Sequence, residues 1–344
     1  MNIETIPTAV DQTLTGRAWM KVLAPYQVAS NLRGAIEIAI TLVPFMSLWA
    51  LTAVLVTHGY TFGYLLTIPT GLFLLRLFMV QHDCGHSSFF SSSLANNWTG
   101  RIIGVLTLTP FDFWKHNHAL HHAGSGNLDH RGVGDVSTLT LREYREKSKG
   151  GRFAYRLYRN PFVMFGIGPA YLFLLKHRLP IGRMRRGLKP WVSTMGTNLA
   201  AVVIAAPLIW LVGWQAFFLI QLPVTLVAAS VGVWLFYVQH QYEDTSWEHT
   251  NSWNRQEAAL HGSSHYDLPG VLRWFTANIG IHHIHHLCSR IPYYSLTKIL
   301  RDFPELRDIS RLTLVESLRC PKLTLWDEAQ GRLISFREAR ALAA

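Results

Sequence analysis

Histidine recurs at helical spacing in three places: His82-Asp83-Cys84-Gly85-His86, His118-Ala119-Leu120-His121-His122 and His282-His283-Ile284-His285-His286. An imidazole is costly beside apolar residues, because both ring nitrogens need partners. Residues three and four apart share a helix face. His82 therefore points with His86, His118 with His121 and His122, and His282 with His285 and His286. The chemistry that suits such a set is metal ligation, and eight imidazoles exceed what one ion takes and match two. His116 and His283 fall off the shared faces and are expected beside the ligands rather than among them. Isolated histidines carry no such signal, so His58, His177, His249 and His261 read as surface or satisfied core residues.

Those faces need a scaffold. The chain has 344 residues, of which 49% are hydrophobic and only 15% charged, against about 25% charged in an ordinary soluble domain. Four stretches, about 35–57, 62–80, 199–218 and 221–239, have the roughly 20 mostly apolar residues that a membrane span requires. They predict an all-α membrane protein in one domain, its four transmembrane helices paired in two hairpins that turn near His58–Thr61 and Phe218–Leu222. A helical cap, 81–198 and 240–344, would hold the histidine-rich dimetal site. Phe162–Leu175, interrupted by Gly166, Gly168 and Pro169, is expected at the interface or half-inserted. The second span ends Phe78-Met79-Val80-Gln81-His82 and the fourth Phe236-Tyr237-Val238-Gln239-His240. This echo sets His240 level with His82 and makes it a ninth candidate ligand.

Orientation follows from the basic residues. Lys and Arg number 3 in 1–34, 16 in 81–195 and 12 in 240–344, with Arg76 alone inside a span and none in either turn. The positive-inside rule then places both termini and the cap in the cytoplasm. The net charge of +11 is one-sided and comes without a nucleic-acid-binding motif, so anionic lipid and an acidic protein partner account for it better than nucleic acid. Arg76, near the end of its span, is expected to snorkel. Cys84, Cys288 and Cys320 lack paired spacing and imply no disulfide. Residues 1–34 show no cleavable signal pattern, and the tail, 293–344, is expected to pack on the cap as helices.

Thiolates are scarce, which disfavours a structural zinc site. An imidazole-rich set suits iron as well as zinc or copper. Its place at the membrane favours iron, because chemistry on an unactivated hydrocarbon chain needs an oxidant that acid–base groups cannot supply. Carboxylates close in sequence, Asp83, Asp112, Asp129 and Asp135, are candidates to orient the rings. Asp112 also stands where it could cap the helix of the second cluster. Asn278, four residues before His282, would share its helical face and could bind a metal-held water.

At these residues the chain resembles the membrane-bound fatty acid desaturases, whose three histidine boxes read H-x3-H, H-x2-H-H and H-x2-H-H. The match runs over about 80–295 and includes HDCGHSSFF at 82–90, WKHNHALHH at 114–122, GSSHYDLP at 262–269 and NIGIHHIHH at 278–286. It is most similar to the bacterial and plastid acyl-lipid branch of omega-6/delta-12 type. The resemblance implies a non-haem diiron centre with O2 as co-substrate, held by His82, His86, His118, His121, His122, His240, His282, His285 and His286. It implies a membrane lipid acyl chain as substrate, a cis double bond as product, and a bacterial inner-membrane enzyme working on the cytoplasmic side. No HPGG-like haem motif occurs, so electrons are expected from a separate ferredoxin or cytochrome. The basic stretch Arg142–Arg159 is a candidate docking surface, though attraction to anionic lipid explains it equally.

Two rival readings remain. A related diiron hydroxylase or ketolase, acting on a lipid, alkane or carotenoid, would carry the same boxes. A membrane metal transporter would need polar residues at mid-membrane depth, which the spans largely lack.

Overall fold

The computed structural model describes residues 15–132 and 135–342. The expectation of no signal pattern falls partly on residues 1–14, outside the described residues. Among the described residues, four helices are long and apolar enough to cross a membrane: Asn31–Thr57, Thr61–Gly85, Leu188–Val212 and Trp214–His240. Ser30 starts the first by accepting the Arg33 N–H at 3.3 Å, and Gly59, at φ +86°, turns the chain into the second. Six residues of tighter helix, Thr61–Leu66, lead the second span.

The second hairpin differs from the expected one. The third span begins at Leu188, well before the apolar run, and ends at Val212; the fourth starts at Trp214. The turn is therefore Gly213, at φ +83°, and not Phe218–Leu222. Hydropathy is continuous across Gly213, so only the conformation that glycine permits marks the break. The second and fourth spans form the centre of the bundle. They meet closely at Gly71, where a Cβ would lie 2.7 Å from Val227. Trp49 of the first span donates to Gln221 of the fourth at 3.1 Å. The third span turns most of its surface outward, with Val202, Trp210 and Leu211 exposed, as a lipid-facing helix should.

Arg76 does not snorkel. It is 2% exposed and pairs with Glu37 of the first span at 2.5 Å. A buried carboxylate makes burial of the guanidinium tolerable, and the partner lies 39 residues earlier in sequence.

The cap is built mainly of short helices. Ser93–Leu106 is capped by Ser92 and exposes Leu94, Trp98 and Ile102. Phe111–Gly124 carries the second histidine cluster and His282–Leu287 the third. Leu141–Glu146 and Lys149–Tyr158 are helical. Phe162–Leu175 forms wide helical turns that lay Phe165 against Trp234 and Tyr237 of the fourth span.

The tail is not wholly helical. Arg311–Thr313 pairs in parallel with His265–Asp267. Leu325–Asp327 pairs with both Leu139–Thr140 and Arg332–Ile334. These strands are two or three residues long, too short for an alternation to show in sequence. They tie the tail to the segments around the histidine helices.

Candidate metal centre

Four elements bring the histidines together. The second span supplies His82 and His86 at its end, the fourth supplies His240, and the two cap helices supply three each. The rings form two nests. One holds His82, His86, His118, His122 and His285; the other holds His121, His240, His282 and His286. Within each nest, one nitrogen per ring lies within 4.8 Å of all the others.

Neither H-x2-H-H box stays whole. Adjacent helical residues differ by about 100° in direction, so the third and fourth positions after a histidine fall on opposite sides of it. His118 and His122 enter the first nest while His121 turns into the second; His282 and His286 enter the second while His285 turns into the first. Each helix thus feeds both nests, so the spacing supplies rings to two candidate metal sites side by side.

The donors fit metal ions. His118 Nε2 lies 2.9 Å from His86 Nε2 and 3.1 Å from His122 Nε2, which is itself 3.2 Å from His285 Nε2. In the second nest, His240 Nε2 is 3.1 Å from both His121 Nε2 and His282 Nε2. A neutral imidazole has one N–H and one lone pair, so two rings can share a hydrogen bond but a ring of five cannot satisfy every approach. Lone pairs converging on a cation do. In addition, Nδ1 of His122, His282 and His285 and Nε2 of His286 are buried without a protein partner. Burial first, and neighbouring rings second, push His86, His118, His121, His122, His282, His285 and His286 well below the usual imidazole value. They are neutral at physiological pH, the form that ligates.

Supporting groups fix the tautomers. Asp83 Oδ1 takes the Nδ1–H of His82 at 3.2 Å, and the Gly262 carbonyl takes that of His240 at 3.2 Å. Each bond leaves Nε2 free to face its nest. Trp114 stacks on His118, with ring centroids 4.7 Å apart and planes 14° from parallel. Its position four residues before His118, on the same helix face, is a signal that the spacing carries.

Residues 60–315 match the family model for fatty acid desaturases. The chain belongs to that family. It is 43% identical over 317 residues to a fatty acid desaturase of Bacillus subtilis (strain 168), covering 92% of this chain and 90% of the relative. It is 30% identical over 240 residues to a Synechocystis protein named sn-1 acyl-lipid omega-3 desaturase (ferredoxin), covering 66% of this chain and 63% of the relative. A Synechocystis sn-1 oleoyl-lipid 12-desaturase is 25% identical over 296 residues, covering 86% and 78%. Membership of this family, together with the four long apolar helices, makes the chain an integral membrane oxidoreductase of fatty acid desaturation.

The structure moves Asp112, Asp129 and Asn278 away from the places expected of them. Asp112 does not cap its helix: Pro110 is the capping residue, and the carboxylate forks onto Arg101 at 2.9 and 3.1 Å. Asp129 accepts from His249 and from the Thr250 N–H at the surface, so it orients no ring of the nests. Asp135 bonds the Val136 N–H at 2.7 Å; burial raises its carboxyl, opposed by the field of His240. Asn278 is not on the helix of His282, which starts only at His282. It sits in a turn at φ +58°, and its amide donates to the Tyr293 carbonyl at 3.1 Å. His116 is exposed, whereas His283 is buried and donates to the Leu306 carbonyl at 2.9 Å.

Proposed function

We propose that this protein is an O2-dependent acyl-lipid desaturase that introduces a cis double bond into the acyl chain of a membrane lipid. Its centre holds two iron ions on the cytoplasmic side of a bacterial inner membrane. The observation that carries the reading is the pair of adjoining nests, nine imidazoles drawn from four elements at the ends of apolar spans. His82, His86, His118, His122 and His285 would hold one ion, and His121, His240, His282 and His286 the other. Bound iron supplies, with O2 and two electrons, the oxidising power that an unactivated methylene requires.

The chain's own residues do the rest. Burial keeps the rings of His86 and of the two cap helices neutral, and Asp83 and the Gly262 carbonyl keep Nε2 of His82 and His240 turned inward. Asn278 supports this set at one remove: it holds the Tyr293 carbonyl, and the Tyr293 N–H binds Asp83 Oδ2 at 2.6 Å. Trp114, stacked on His118, and Phe236, set against His121 and His240, give the nests aromatic neighbours. Electrons come from a separate carrier, a ferredoxin or cytochrome. Exposed Arg142, Arg145 and Arg156 offer an acidic carrier a basic face, to which Arg159, being buried, does not contribute.

Fatty acid profiling of a host expressing the chain, beside His118→Ala, tests the reading. The wild type is expected to yield a new unsaturated acyl species and the variant none. An oxygenated product would assign the chain to hydroxylation instead, and an identical product from both would remove His118 from the site.

A further inference from the structure

Glu37 and Arg76 are a buried ion pair inside the spans, and nothing in the metal nests accounts for it. Arg76 Nη2 meets Glu37 Oε2 at 2.5 Å, with both side chains 3% exposed or less. Isolated charge at such depth is costly, and a pair is retained only where its remaining donors and acceptors are also met. Here they are: on the first span Arg33 pairs with Glu37 Oε1 at 2.7 Å and Thr41 meets Arg76, and the remaining partners flank one segment of the cap. Arg76 Nε donates to Thr41 Oγ1 at 3.1 Å, and Nη1 donates to the Trp274 carbonyl. The guanidinium lies 4.1 Å from the Trp274 ring centroid and 5.5 Å from that of Tyr293. Glu37 Oε2 also accepts the Tyr293 hydroxyl at 3.2 Å.

Trp274 and Tyr293 bracket the segment that carries His282, His285 and His286. At the near end of that segment Ala277 and Asn278 adopt positive φ, +49° and +58°; asparagine tolerates this conformation, whereas alanine holds it only when the surroundings impose it. The far end is bound to the first histidine box, because the Tyr293 N–H reaches Asp83, and Asp83 reaches His82. The ion pair thus grips both ends of the third-box segment and ties them to the two spans beside it.

We propose that Glu37 and Arg76 are positioning residues for the metal centre, setting the third histidine box against the first so that both nests close. The proposal rests on the metal reading of the nests. It explains why the pair spans two helices and a cap segment, where a pair serving helix–helix adhesion alone would need only Glu37, Arg76 and Thr41.

The test is an anaerobic titration of metal-free protein, in lipid nanodiscs, with ferrous iron alone, alongside thermal melts. Glu37→Leu/Arg76→Met removes both charges together and avoids leaving one buried and unpaired. It is expected to melt near the wild type yet bind iron about 10- to 100-fold more weakly, the usual effect of losing a group that orients ligands. Equal affinity in the wild type and the double variant would overturn the positioning role. Failure of the wild type to bind iron would instead overturn the metal reading itself. Tyr293→Phe, which loses only the hydroxyl bond to Glu37, covers the case in which the double variant does not fold. Weaker iron binding with an unchanged melt supports the proposal, and unchanged binding refutes it.

Discussion

Replacing Arg159 by methionine tests whether the end of the fourth span depends on a buried cation. Arg159 is 1% exposed, and its donors reach three segments. They meet Tyr237 Oη at 2.9 Å and Gln241 Oε1 at 3.3 Å, on either side of His240. They also meet the Leu323 carbonyl at 2.8 Å, Thr138 Oγ1 at 2.9 Å and the Ser137 carbonyl at 3.3 Å. Methionine fills much of the stem's volume and donates nothing. Two acceptors keep other donors, since Tyr237 Oη also donates to Leu323 and Thr138 Oγ1 to Gln241. The loss is then two or three charge-assisted bonds at about 1.5–3 kcal/mol each, less the desolvation that the guanidinium no longer suffers. A net cost of about 3–4 kcal/mol follows, which lowers the apparent melting temperature by about 6–16 °C at roughly 2–4 °C per kcal/mol.

Scanning fluorimetry of the purified protein in detergent reads that shift directly. Arg159→Lys should fall between the two, because an ammonium cannot reach so many acceptors at once. Looser packing of Tyr237 and Gln241 frees His240, so the affinity for ferrous iron should also fall, by about tenfold. A methionine variant that melts within 1–2 °C of the wild type would refute the assignment of Arg159 as the link between the fourth span and the cap.

Two further outcomes follow from the packing and the rings. At Gly100 a Cβ would meet the Phe111 ring at 2.2–2.6 Å, so Gly100→Ala should cost about 1–3 kcal/mol of stability by overpacking, read as a lower melting temperature; an unchanged melt would show that Phe111 yields freely. The seven imidazoles pushed below the usual 6.5 stay neutral in the fold while the unfolded chain takes up protons below that value. Stability of chelator-treated protein is therefore full above about pH 6.5 and should fall by about 1 kcal/mol per ring per pH unit below it; a melting temperature that is flat from pH 7 to 5.5 would refute the buried, neutral assignment.

What the sequence made legible has a physical boundary. Helical periodicity and long apolar runs report the face and depth of a residue, and on those grounds the four spans, the three histidine faces and the level of His240 were readable. Features set by contacts between distant segments were not. Arg76 looked like a snorkelling residue because its position relative to the span's end is visible and Glu37, on another helix, is not. Asp112 and Asn278 were placed by counting along helices that, in the fold, start at other residues. Gly213 carries the turn of the second hairpin, yet hydropathy passes through it without a change, since the information lies in a backbone angle.

The division of the histidines shows the same boundary inside the site. H-x2-H-H spacing already contains the split, because positions three and four after a histidine diverge by about 100°. Which nest each ring joins depends on what stands on either side of the helix. His121 meets His240 and His282 because the fourth span and the third box lie on its flank, while His118 and His122 meet His86 and His285 on the other. A single box of this kind on a lone helix would aim its rings at two different places and complete neither. The repeat of the pattern on a second helix, facing the first with its own third position turned the opposite way, is what lets five rings close one nest and four the other.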